Sequence, residues 1–132
     1  MTFNSIEKRE FILAIQSMIA IEGPHPSKKR IFDNVYRTLN VNYDEGISFL
    51  SYINSSQINW NEHYSTIQRM DIEKKKSLIS VLTVLSTIGD NFKNEKVELL
   101  TAYRACCDLS IATFSTLDAV ITASKYILKP NL

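Results

Sequence analysis

The sequence predicts an all-α protein, a bundle of about seven helices folded as one domain over residues 1–132. Three observations carry that expectation. Apolar residues recur at three- and four-residue intervals along most of the chain, and no convincing stretch keeps the two-residue period of a strand. Turn formers are sparse, with 3 Gly and 3 Pro in 132 positions, which suits helices and short corners better than an all-β fold. From Ser77 to Glu95 the residues Leu78, Ile79, Val81, Leu82, Val84, Leu85 and Ile88 leave almost no polar face. A helix that apolar has to be wrapped by others, since exposed apolar surface costs about 25 cal/mol per Å². It is too short for a bilayer, which needs about 20 apolar residues.

The elements follow in order. Helix 1 starts near Ser5, because Asn4 and Glu7 have capping-box spacing and Ile12, Ile15, Met18 and Ile19 follow at helical intervals. Gly23 is its expected left-handed cap, with Pro24 just beyond. After the stiff Pro24-His25-Pro26 linker, Ser27 is the expected cap of helix 2, Lys28 to Leu39, with Ile31, Phe32, Val35 and Leu39 inward. Helix 3 fits Asp44 to Ile53 with Ile47, Leu50 and Ile53 inward, and Ser55-Ser56-Gln57 break it. Asn59 and Glu62 repeat the capping spacing before helix 4, Trp60 to about Met70. Asp71 caps helix 5, which we expect at the centre of the bundle, and Gly89-Asp90 stop it. Asn94 can cap helix 6, Glu95 to Asp108, with Val97, Leu100 and Tyr103 buried. Ser110 opens a seventh helix that ends before Lys129-Pro130.

Bulk properties exclude several classes. A formal net charge of +1 gives no electrostatic reason to expect nucleic acid. The first residues lack a cationic stretch followed by an apolar one, so no secretory signal is expected, and the expected compartment is the cytoplasm. No transmembrane segment is expected, although basic runs leave room for peripheral membrane contact. Cys106 and Cys107 are adjacent, which argues against a disulfide between them and against a tetrahedral zinc site. Helical geometry turns the two about 100° apart, so one belongs to the core and the other to its rim.

The chain also reads as an internal two-fold repeat. Sliding it by 67 positions lays helices 1–3 over helices 5–7, matching Ile12 to Ile79, Ile21 to Ile88, Tyr36 to Tyr103 and Leu50 to Leu117. Lys8/Lys75, Lys29/Lys96, Arg37/Arg104 and Ser48/Ser115 match as well. The corners align as Ile21-Glu22-Gly23-Pro24-His25 and Ile88-Gly89-Asp90-Asn91-Phe92.

A helix, a turn of the Asp-Gly-x-Ile type, an acidic residue opening the next helix and a second copy in the other half resemble the TerB-like (tellurite-resistance) family. Here Glu22-Gly23 stands for the first Asp-Gly, Gly89-Asp90 reverses the second, and Glu95 alone keeps the downstream carboxylate. The resemblance implies an all-α fold of roughly seven helices. It further implies a role tied to tellurite or stress resistance, and metal binding at acidic turns.

The residues themselves offer three candidate sites. Asp90, Asn91 and Glu95 are the best local oxygen cluster and would be the metal set, although a helix stop followed by a first-turn acid explains the same residues. Lys28, Lys29 and Arg30 crowd the first turn of helix 2, where the dipole disfavours cations. They form either a solvated face or a site for an anion, a lipid head group or an acidic partner. Trp60 and Tyr64, with Tyr43 or Tyr52, are either core or anchors for a partner or a dimer interface. No nucleophile elbow, P-loop, dinucleotide fingerprint or zinc-helix motif occurs, and His25 and His63 stand isolated. The reading is therefore a non-catalytic interaction or accessory module with no required cofactor, binding a protein partner or a second copy of itself. A metal- or anion-binding sensor is the alternative.

Overall fold

The computed structural model describes residues 2–89 and 94–107, and among these it is all-helical. Six helices follow one another: α1 (Ser5–Ala20), α2 (Pro26–Thr38), α3 (Tyr43–Ile53), α4 (Trp60–Arg69), α5 (Ile72–Ser86) and α6 (Asn94–Cys107). The expected seventh helix lies outside the described residues. No described helix is long and apolar enough to cross a membrane.

Most helix starts are set by a side chain taking up amide protons that the first turn leaves unpaired. The Asn4 carbonyl accepts from the Glu7 amide at 2.8 Å while the Glu7 carboxylate accepts from the Asn4 amide at 3.0 Å. Asn42 and Glu45 make the same reciprocal box ahead of α3. Asn59 and Asp71 cap α4 and α5. The start of α2 differs from the sequence expectation: its cap is His25, not Ser27. His25 Nδ1 accepts from the Ser27 amide at 3.1 Å. Pro26 occupies the first helical position, where its fixed φ favours the helix and its missing N–H is no loss. At the other end of α1, Gly23 adopts φ 86° and donates its amide to Ile19 O at 3.0 Å, which closes the helix.

Four helices make a closed ring of contacts, α1 against α4, α4 against α6, α6 against α5, and α5 against α1. The core inside it is Phe11, Ile12, Ile15 and Met18 of α1, Ile67 of α4, Leu78, Ile79, Leu82 and Leu85 of α5, and Leu100 and Tyr103 of α6. α1 packs against α2, α3, α4 and α5 and is buried continuously from Glu10 to Ile15, so it shares the central place expected for α5. α2 and α3 form a shoulder that touches the ring through α1.

Two inward stripes differ from those expected. On α3, Ile47 and Leu50 are each 52% exposed, and Phe49 is the residue that enters the core. This helix carries two apolar stripes, and only the one through Phe49, Tyr52 and Ile53 faces α1. On α6 the buried stripe is Lys96, Leu100, Tyr103 and Cys107. Val97, one residue off that line, is exposed. The cysteines divide as helical geometry requires, with Cys107 buried and Cys106 half-buried.

Candidate functional site

The surface where α1, α4 and α6 meet opens into a cavity of about 590 Å³. Ser17 and Ile21 line it from the last part of α1, Trp60 and Tyr64 from the start of α4, and Glu95, Glu98, Leu99, Ala102 and Tyr103 from α6. The spacing explains the gathering. Trp60 and Tyr64 are four residues apart on one helix, and Glu95, Glu98, Leu99 and Ala102 recur at three- and four-residue intervals on the other. The two α4 rings lie 6.3 Å apart at 33°, and Tyr64 reaches Tyr103 at 5.7 Å. Trp60 remains 43% exposed.

Beneath this cavity runs a buried polar chain that ties the same three helices. His63 and Glu10 are fully buried, with His63 Nδ1 2.6 Å from Glu10 Oε2. His63 Nε2 lies 2.8 Å from the hydroxyl of Tyr103. A carboxylate only accepts, so Nδ1–H donates to Glu10, and Nε2 shares a hydrogen bond with the Tyr103 hydroxyl, which can donate or accept. The second Glu10 oxygen accepts from Arg9 Nε at 2.9 Å, and the Arg9 guanidinium lies 4.2 Å over the Tyr52 ring of α3. Burial, then the neighbouring Tyr64, pushes the Tyr103 phenol far above its usual range, so it keeps its proton. Each buried polar atom of the triad therefore finds a partner, which is the condition for such a network to be tolerated in a core.

Burial raises both thiols, Cys106 above its ordinary range and Cys107 to about 12, so both are protonated at neutral pH. Cys106 is further engaged, its thiol donating to Tyr64 O at 3.2 Å. Neither cysteine meets a histidine, because His63 is held by Glu10 and Tyr103 and His25 caps α2.

A second ionic cluster sits at the corner after α1. Glu22 Oε1 lies 2.7 Å from Lys96 Nζ, and Glu22 Oε2 lies 3.7 Å from Lys28 Nζ. Each lysine also donates to a corner carbonyl, Lys28 to Gly23 O at 3.3 Å and Lys96 to Ile88 O at 2.9 Å. Gly89, at φ 121°, passes so close under the Glu22 carboxylate that a Cβ there would collide with it.

The three sequence-derived sites fare differently. Trp60, Tyr64 and Glu95 come together on one cavity, although sequence reasoning had set Glu95 aside as a metal ligand. Asp90 and Asn91 lie outside the described residues. Among the described residues, no three His, Cys, Asp or Glu side chains group as a metal site. The Lys28-Lys29-Arg30 run splits. Lys28 is 2% exposed and turned in to Glu22, which corrects its placement on a solvated face. Its ammonium has a carboxylate and a carbonyl within reach, which offset part of the loss of water. Lys29 and Arg30 remain exposed. Lys74, in the Lys74-Lys75-Lys76 run of α5, is likewise buried and donates to both oxygens of Glu7.

Sequence reasoning missed Glu10, His63 and Tyr103 as a unit. They are separated by 53 and 40 residues, and only the ring of helices brings them together.

Comparison with known proteins places the fold alone. No protein-family model matches the chain, and no curated protein matches it. The crystal structure of a protein of unknown function from Porphyromonas gingivalis W83 superposes with a TM-score of 0.68. The two are 24% identical, over 96% of this chain and 98% of the other.

Proposed function

We propose that this chain is a non-catalytic, TerB-like helical module that binds a protein partner through the α1/α4/α6 cavity. The observation that carries the reading is the half-exposed Trp60 beside Tyr64, set over a floor whose polar groups are already engaged with one another. Large aromatic groups at a concave, rigid surface are the usual anchors of an interface. The floor offers shape and no activated nucleophile, since the thiols are protonated and His63 is held on both nitrogens.

The internal two-fold repeat belongs to the same proposal. Lys28 and Lys96 each come from the first turns of the second helix in their half, and each reaches back to the preceding corner carbonyl. The 67-residue shift pairs Lys96 with the exposed Lys29, so the two buried lysines stand one position out of that register while both turn back to the corner before their helix. A seventh helix, cytoplasmic residence and a stress- or tellurite-linked role are the remaining parts of this family reading.

Affinity capture compares wild type with Trp60→Ala, after thermal melts show that both are folded. A protein retained by wild type and lost with Trp60→Ala supports the reading. Identical captures contradict it.

One observation favours a second reading as an anion sensor. The exposed Lys29 lines a cavity of about 380 Å³ together with His25 and Lys28, next to the start of α2. A rise in melting temperature with phosphate that disappears in Lys29→Ala would support it.

A further inference from the structure

We propose that the α1/α4/α6 cavity takes a cationic side chain of the partner, an arginine or a free or methylated lysine. This rests on the partner-binding reading above and adds the chemistry of what is bound. Glu95 and Glu98 stand three residues apart on one side of the cavity, both exposed, and no Lys or Arg is among the described residues that line it. Among the described residues the lining therefore carries two negative charges and no positive one. A phosphate or carboxylate would meet repulsion there, and a purely apolar group would leave the rim carboxylates facing it without gain.

The opposite wall suits the rest of such a side chain. Trp60 and Tyr64 present ring faces tilted 33° to one another, and Tyr64 leads on to Tyr103 at 5.7 Å. Ring faces attract guanidinium and alkylammonium groups, tryptophan most strongly, and their apolar surface accepts the methylene stem. Leu99, Ala102 and Ile21 extend that apolar surface. Carboxylates on one wall and aromatic faces on the other are complementary to a cation on an aliphatic stem.

The chain contains one tryptophan, so fluorescence reports on this cavity directly. Emission of Trp60 is followed at fixed ionic strength with four probes. N-acetyl-arginine amide and N-acetyl-trimethyllysine amide carry the charge. N-acetyl-citrulline amide matches the first in shape without its charge, and N-acetyl-norleucine amide supplies the aliphatic stem alone. The expected result is a saturable change with the charged pair, with affinity at least about five-fold above that of the neutral pair. Glu95→Gln and Glu98→Gln should each weaken it about three-fold, and added salt should weaken it further. The order of the two charged probes tells guanidinium from methylated ammonium. Equal binding of neutral probes, an unaffected Glu95→Gln/Glu98→Gln double variant, or an unchanged emission would each overturn the cationic assignment. None of these touches the broader reading, which stands or falls with capture by Trp60→Ala whatever charge the partner carries.

Discussion

The ring of α1, α4, α6 and α5 and the shoulder of α2 and α3 use the same amphipathic helices to different ends. In the ring, α5 buries residues on every side, from Leu78 through Leu85, and α1 is closed from Glu10 to Ile15. In the shoulder, α3 puts Phe49 into the core and leaves Tyr43, Ile47 and Leu50 largely open, Tyr43 at 82%. The shoulder is held to the ring by Val35 and Leu39 at the end of α2 and Phe49 of α3, which enter the same core, and by polar ties. Ser5 and Lys8 both reach Glu45, and Lys8 also donates to Asn40 O. Most of the buried apolar core therefore belongs to the ring, while the shoulder adds Val35, Leu39 and Phe49 to it and leaves the outer stripe of α3 at the surface.

That contrast is broken most severely from inside the ring. Leu82→Ala removes a fully buried side chain between α5 and its neighbours and should cost about 2–5 kcal/mol in urea unfolding. A nearly silent result would deny α5 its place. Glu10→Ala should follow, at about 3 kcal/mol, because it strips the buried His63 ring of its acceptor and leaves Arg9 without its carboxylate. If Glu10→Ala instead melts like wild type, the polar chain beneath the cavity is not part of what holds the ring.

The seam between ring and shoulder should give an intermediate effect. Glu22→Gln removes the charge that Lys28 and Lys96 both face and should cost about 1–3 kcal/mol, measured by chemical unfolding. Alkaline pH sharpens the same picture. Cys107 and Tyr103 have raised pKa values in the fold, so above the ordinary thiol value of 9.0 the unfolded chain releases protons the folded one keeps. Stability should be flat below that pH and fall as pH rises toward 12. Cys107→Ala should blunt the fall, and an unchanged slope would locate the effect elsewhere. The smallest effect belongs to the shoulder, where Ile47→Ala and Leu50→Ala should each change stability by about 0.5 kcal/mol or less.

Local chemistry made much of the fold legible. The caps Asn4, Asn59 and Asp71, the Gly23 corner and the apolar run of α5 are encoded within a few residues, and the structure places them as the pattern requires. Tertiary choices were not legible. α3 offers Ile47 and Leu50 on one stripe and Phe49 and Ile53 on another, and periodicity alone cannot say which faces α1. Charged residues misled for a related reason. Nothing local marks Glu10, Lys28, Lys74 or Lys96 as buried, because burial of a charge depends on a partner that the sequence does not place. Glu10 and Lys74 find their partners on other helices, 53 and 67 residues away, while Lys28 and Lys96 meet over Glu22 at a corner. Within the site, Trp60 and Tyr64 were recognisable as candidate anchors from their types. The carboxylates opposite them were not, because nothing in the sequence sets α6 across from α4.

The most direct test of the account is site-specific photo-cross-linking from two exposed positions. A benzoylphenylalanine at Ala102, on the cavity wall, is compared with one at Ser48 on the shoulder. The account predicts that the protein captured by wild type cross-links from position 102, that Trp60→Ala abolishes this, and that position 48 stays unlinked. Cross-linking from position 48 with none from position 102 would move the working surface to the shoulder and contradict it.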